Sequence, residues 1–389
     1  MYNNQIFIYE ARRLSELETY KDRWDELLKL CPKSTPTQTY AWLHAFFSYK
    51  VPVDKEWICL FAFNNLGDLM GVYPLIILKS KGLPGIRFQF FTIPYDTNHT
   101  VRVDALVKPG HEMIIENFLL YLKNAFKAYP IIRINRIPEF SSTMRYLRLK
   151  NRQFTSLIHL TSAESFLNIE NNYEAFFRGL SSNVRKNIKR SKKKLTKITN
   201  HSFRIKFNDI SNSEILQNFM ELENSGWKSK DGYSIKDHLG DADLFLSATN
   251  LFMQKGWMQW NFLIVNQEII SGLLSVKINV TLYLLKIAYN ENYSYCSPGN
   301  LLINKIIEDS YTGTEISEIN FMNEREWFKM WNVKERKLFD IIIIPRNFIL
   351  TPLIKTLRKF IYYKNKLKRY FKTRLNKACV ILKKMKPNT

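Results

Sequence analysis

Cysteine is scarce: Cys31, Cys59, Cys296 and Cys379 lie far apart, and no CxxC pair occurs. This excludes a disulfide framework and a zinc ribbon, and a reducing compartment fits best. Long apolar runs are missing too. The longest candidate is IIII at 341–344, far short of the ~18 residues a membrane span needs. The opening MYNNQIFIYEARRLSELE has no basic region followed by an apolar stretch, so no secretory signal is expected. The six histidines (44, 99, 111, 159, 201, 238) form neither HxxxH nor HExxH, and no metal site is expected. GxGxxG, GxxxxGK[ST] and GxSxG are also absent, which removes support for dinucleotide, P-loop and serine-hydrolase chemistry.

What is present is a large apolar fraction. Of 389 residues, 46% are apolar and 14% aromatic, enough for packed cores. At about 150 residues per domain, two to three domains are expected. The aromatics fall at core spacing rather than as a base-stacking motif.

The net charge of +23 is local. Segment 185–197 carries eight Lys/Arg and segment 346–389 fourteen, both without an acid, and the remainder is balanced at 36 basic to 35 acidic residues. In the second segment Leu353, Leu357, Phe360, Ile361, Leu367 and Phe371 recur at helical spacing among the cations. That pattern is a basic amphipathic helix suited to an anionic membrane surface or to phosphate. A terminal helix packing its stripe on the body would read the same way.

Along the chain, the pattern predicts a strand at 6–10, then a helix over 15–30 with Ser15 and Glu18 as a capping box. An aromatic helix within 34–47 precedes a hairpin at 57–63 and 70–78 about NNLGD. Strands at 86–93 and 101–107, a helix at 111–128, a strand at 131–137 and a short helix at 141–150 complete a first lobe. Helix 173–195, strand 202–207 and helices 213–226 and 241–255 open a second. A meander at 258–265, 269–278 and 281–289, helix 300–312 and strands 316–321 and 338–344 complete it. The fold class is α+β, mixed α/β, divided as 1–155, 156–345 and a basic helical tail 346–389. No Gly/Ser/Pro-rich linker separates the halves, so they are expected to pack with a cleft between them.

The sharpest local feature is YLLKIAYNENYSYCSPGNLLINKIIEDS (283–310), a strand, an SPG turn and a helix. A helix N-terminus with free N–H groups suits a pyrophosphate, and Gly299 allows close backbone approach. Standing alone, the passage is a weak signal and reads first as an ordinary loop.

Six segments in order resemble the GNAT superfamily, specifically the double-lobed CelD/BioF2-like acetyltransferases, relatives of the Fem-type transferases. They are TPTQTYAWLHAFF (35–47), IPYDTNHTVRVDALVKPG (93–110) with INRIPEFSSTMRYL (134–147), FRGLSSNVRKNIKRSKKKL (177–195), MELENSGWKSKDGYSI (220–235), YSYCSPGNLLINKIIEDSYTGT (293–314) and REWFKMWN (325–332). The resemblance implies two tandem GNAT-like lobes with mixed central sheets. It also implies acyl-CoA, such as acetyl-CoA, as co-substrate, with no metal. The pyrophosphate would rest on Gly299, Asn300 and Leu301 beside Ser297, and the pantetheine would run along Lys286, Ile287 and Ala288. Asp96, Glu223 and Lys329 match motif positions: either carboxylate would serve as base, and Lys329 would bind an anionic acceptor or the carbonyl oxygen. Asp96 is equally a turn cap, Glu223 a solvated residue at a helix end or a partner of Lys228, and Lys329 a snorkelling surface residue. Arg185 would meet the CoA phosphates, a polyanionic acceptor or nothing. One departure stands out. The family's acidic residue and glycines before the Lys are replaced by Asn320-Phe321-Met322-Asn323-Glu324, which bears on activity.

The resemblance implies acyl transfer to an amine or hydroxyl of a sugar, polysaccharide precursor or related envelope metabolite, in the cytoplasm or peripherally on the inner membrane face. Two other readings remain. One is a Fem-like transferase drawing on aminoacyl-tRNA, with helix 185–197 tracking the RNA. The other is a non-catalytic, membrane-associated subunit of a polysaccharide synthesis complex.

Overall fold

The computed structural model describes residues 5–346, apart from 53, 80, 84–85, 97, 151, 171, 198–200, 206–210, 231 and 314. The tail expected over 346–389 lies outside the described residues except for Arg346.

The chain opens with β1 (Phe7–Ala11), α1 (Leu14–Glu18), α2 (Lys21–Leu30) and α3 (Tyr40–Tyr49). A hairpin of β2 (Glu56–Phe63) and β3 (Leu69–Ile77) leads to β4 (Lys81–Leu83), β5 (Ile86–Thr92) and β6 (Leu106–Val107). Then come α4 (Ile114–Ala125), β7 (Tyr129–Pro138), α5 (Ser142–Tyr146) and β8 (Phe154–Asn168). The second half holds α6 (Tyr173–Gly179), α7 (Ser182–Thr196), β9 (His201–Ile205), α8 (Asn212–Asn224), α9 (Trp227–Lys230) and α10 (Asp241–Gln254). It ends with the meander β10 (Met258–Val265), β11 (Glu268–Ile278) and β12 (Thr281–Tyr289), then α11 (Pro298–Thr312), β13 (Glu318–Asn320) and β14 (Lys334–Pro345).

These strands form one mixed sheet in the order β1-β2-β3-β5-β7-β14-β8-β13-β12-β11-β10-β9, with β4 on β5 and β6 on β3. The last strand makes the join. β14 runs antiparallel to β8 from Lys334 opposite Phe166 to Pro345 opposite Phe154, and antiparallel to β7 on its other side. The run IIII at 341–344 is therefore a strand between two strands, where a continuous apolar run is expected.

Three expectations change. The helix read over 15–30 is two helices, and Arg13 rather than Ser15 is the N-cap of the first, because the Glu16 carboxylate accepts the Arg12 and Arg13 N–H groups. The helix read over 173–195 breaks between Gly179 and Ser182: buried Leu180 is extended, and the Ser181 hydroxyl caps α7 by accepting the Val184 N–H. Of the strand read over 101–107, only Leu106–Val107 pairs with a neighbour.

One buried cluster runs through both halves. Trp42 of α3 meets Phe245 of α10 edge-on at 5.5 Å, and its indole N–H donates to Thr100 Oγ1 at 3.0 Å. Gly240 enters α10 at φ +76° with its Cα against the Tyr49 carbonyl, leaving no room for a Cβ. The Lys50 ammonium and the His99 ring, 2.9 Å from Asp241 Oδ2, meet at the buried Asp241 carboxylate. A second set of charges lies under β14. Glu164 accepts from Arg102 and Arg336, and Glu318 accepts from Arg336 at 3.0 Å and Lys33 at 3.1 Å.

Candidate active site

A cavity of about 330 Å³ opens where the C-terminal end of β12 meets the start of α11. Two features of β12 create it. First, β13 pairs with β12 only over Thr281–Tyr283, so the sheet splits beyond that point. Second, the β11–β12 register slips between Lys286 and Leu284, which leaves Leu285 as the extra residue of a bulge. The bulge re-aims the side chains that follow. Ile287 and Tyr289 turn toward Gly299, each with a Cδ1 3.6 Å from where a glycine Cβ would stand, while Lys286 points to the opposite side and Glu223.

The helix end is built for an anion. Ser297 lies in the left-handed region at φ 51° and gives α11 no side-chain cap, and Pro298 has no N–H to satisfy. Leu301 N–H is taken by the Ser297 carbonyl. The N–H groups of Gly299 and Asn300, whose residues line the cavity, are left to a ligand, and the helix dipole favours negative charge there.

At the other wall sits a buried charge cluster. Glu223 Oε1 accepts from Lys228 Nζ at 2.8 Å and from Lys286 Nζ at 3.3 Å, while its Oε2 accepts the Ile235 N–H at 2.9 Å. Lys228 also donates to the Ile287 carbonyl, on the side of β12 that β13 leaves open. Burial pushes the Glu223 carboxyl up, but the Lys286 and Lys228 ammoniums and the Ile235 N–H outweigh it, leaving it below the usual carboxylate range. Burial pushes the Lys286 ammonium down to about 8 against the opposing pull of Glu223. One carboxylate thus holds two lysines, one of them with its ammonium pushed down to about 8.

The structure brings Glu223, Ile287, Ala288, Ser297, Gly299 and Asn300 to the cavity wall. Leu301 is buried behind it, and Lys286 reaches it through Glu223. Asp96 does not line it. Its carboxylate accepts the N–H groups of Asn98, His99 and Thr100, and so shapes the loop that presents His99 to Asp241. Lys329 also stays outside, half exposed and paired with Glu326 at 2.9 Å, while Trp327 faces the cavity instead. Arg185 stands near the start of α7 with a buried Nε that has no partner. Asn320 ends β13, its side-chain oxygen accepting the Met322 N–H at 2.8 Å. Lys228 and Trp327 went unselected in the sequence, although Lys228 stands five residues after Glu223 in the WKSK turn.

The exposed basic helix α7 packs on α11 and on the turn before it, and Lys194 Nζ donates to the Tyr295 carbonyl at 2.8 Å. Of the eight cations over 185–197, seven are exposed. None of them appears in an ion pair among the described residues. Among those residues there is also no group of three or more His, Cys, Asp or Glu able to hold a metal, and no helix long and apolar enough to cross a membrane.

Residues 182–330 match the family model described as an acetyltransferase (GNAT) domain. The mixed α/β architecture around one large mixed sheet is consistent with a tandem GNAT-like fold. Among solved structures, FemX aligns over 89% of this chain and 99% of its own at 13% identity, with a TM-score of 0.58. The C-terminal domain of a candidate lysylphosphatidylglycerol synthetase from Agrobacterium fabrum aligns over 88% and 95% at 8% identity, with a TM-score of 0.50. These likenesses are of fold. No curated protein matches the chain.

Proposed function

We propose that this protein is an acyltransferase that takes an acyl group from acyl-CoA, such as acetyl-CoA, and passes it to an amine or hydroxyl. The acceptor class we favour is a sugar, polysaccharide precursor or related envelope metabolite, in line with the CelD/BioF2-like motifs. In this reading 1–155 and 156–345 are two lobes, and 346–389 is a tail for an anionic membrane surface, which would make the protein cytoplasmic or peripheral. The observation that carries the reading is a single cavity joining the uncapped start of α11 to the Glu223–Lys228 pair.

The pyrophosphate would rest on the Gly299 and Asn300 N–H groups, with the pantetheine beside the open edge of β12. Acyl transfer needs aligned reactants, a proton acceptor and a donor at the developing oxyanion. Lys228 has one N–H left after bonding Glu223 and the Ile287 carbonyl, and would face the thioester oxygen. The acceptor's proton would pass to Glu223 and come to rest on Lys286, neutral above a pH of about 8. Collapse of the tetrahedral intermediate then expels the CoA thiolate.

A second reading has one specific observation in its favour. The exposed cations of α7, on a helix that packs against α11 and the turn before it, would track an RNA backbone, as an aminoacyl-tRNA donor requires. The two are separated by measuring free thiol released from acetyl-CoA over a panel of amino sugars and glycans, beside deacylation of charged tRNA. Thiol release that depends on an acceptor and is lost in Lys228→Met supports the CoA reading. Deacylation of tRNA alone supports the other.

A further inference from the structure

A second cavity, of about 150 Å³, is lined by residues of the first half of the chain and shares none with the candidate active site. Its place in the topology is the same. β12 and β13 run parallel, α11 connects them, and the first cavity lies beyond their C-terminal ends. β5 and β6 both run antiparallel to β3, and β7 runs parallel to β5, so β6 and β7 also point the same way, with α4 between them. The second cavity lies at their ends, against Val107 of β6, Pro109 just after it, and Ile137 and Pro138 of β7. The crevice outside the carboxyl ends of parallel strands is where open α/β sheets hold ligands.

Its chemistry differs from that of the first cavity. Lys33, Arg102 and Arg145 line it. The network behind it sets three cations, Lys33, Arg102 and Arg336, against two carboxylates, Glu164 and Glu318. Lys33 and Arg145 stand at the rim, with side chains 46% and 45% exposed, and Arg145 is held only loosely, 3.5 Å from Glu112. Ser34 also lines the wall; it is 3% exposed and its hydroxyl has no hydrogen-bond partner. The one lining carboxylate, Asp104, is already engaged by the Thr143 N–H and hydroxyl.

We infer that this cavity is a second ligand site, for a small molecule bearing a carboxylate or a phosphate. The anionic group meets Lys33 and Arg145 at the rim, and the Ser34 hydroxyl supplies the inner contact. The volume is about that of an engineered cavity that accepts one six-membered ring, so the ligand is a small metabolite rather than a nucleotide. Segment 31–35 is tied to the second half: Tyr283 donates to the Ser34 carbonyl at 2.7 Å, and Lys33 pairs with Glu318. The site therefore sits where the two halves meet.

Inorganic phosphate and acetate, titrated separately into the full chain by calorimetry, test this. The start of α11 is a competing anion site, so wild type is compared with Gly299→Trp and Arg145→Gln, each checked for a wild-type melting profile. Lys33→Gln serves as a second rim variant. The inference expects at least one of the two anions to bind wild type and Gly299→Trp alike, and to bind both rim variants about tenfold more weakly, the lower end for a charge-assisted contact. Binding lost in Gly299→Trp and untouched in the rim variants would overturn it. So would the absence of heat from both anions at tens of millimolar.

Discussion

Glu223 decides the character of the active-site wall. It is 1% exposed and answers two ammoniums. Removing one partner of a buried pair leaves an uncompensated charge, so Glu223→Gln is expected to cost roughly 3–5 kcal/mol, read by urea unfolding. Lys286 gives a pH signature of its own. Its ammonium titrates near 8 in the folded chain against 10.5 for an ordinary lysine. Between those values the unfolded chain binds more protons than the folded one, so Lys286 makes stability rise with pH across that window. Replacing it with Met should flatten this rise. In the acyl-transfer reading it also removes the increase in rate as pH passes about 8. Which side chains reach the cavity was only partly legible. Glu223 was visible in its motif, and its alternative role beside Lys228 was visible too. The two are one feature, because the partner that neutralises Glu223 is also a cavity residue. Lys329 and Trp327 are two positions apart in one short helical turn, and the sequence could not show that the indole faces inward and the ammonium outward.

At the scale of elements, punctuation decided what could be read. The SPG turn and the meander before it were legible from Pro, Gly and β-rich runs, and α11 begins at Pro298. The bulge at Leu285 was not, because nothing in YLLKIAY marks an extra residue. β8 was missed altogether. Its middle, HLTSAES, lacks the apolar alternation of a strand, and its order comes from pairing with β14 along its length. Gly179 marked the end of α6, yet the surrounding helical pattern masked it. Another glycine tests the α3–α10 junction. Gly240→Ala places a Cβ on the Tyr49 carbonyl at a left-handed φ, and should cost about 2 kcal/mol or more. The loss is expected in thermal unfolding, with α3 separating from α10.

For the molecule as a whole, the mixed α/β class was legible from the alternation of runs. The path of the chain was not. The final strand returns to lie between β7 and β8, so one sheet runs through both halves of the described chain, with the Glu164, Glu318 and Arg336 charges at the join. That arrangement depends on contacts between residues up to a few hundred positions apart, such as Lys33 with Glu318, and no local pattern encodes it. The central claim is that the turn at 297–301 holds the pyrophosphate of an acyl-CoA. The direct measurement is isothermal titration of acetyl-CoA and of CoA into the purified full chain, beside Gly299→Trp. A Cβ at Gly299 makes only ordinary contacts at 3.6 Å, so the fold should survive while the indole fills the crevice. We predict that wild type binds both ligands and that the folded variant binds neither. A well-folded wild type that binds no CoA, or a variant that binds it unchanged, would contradict the account.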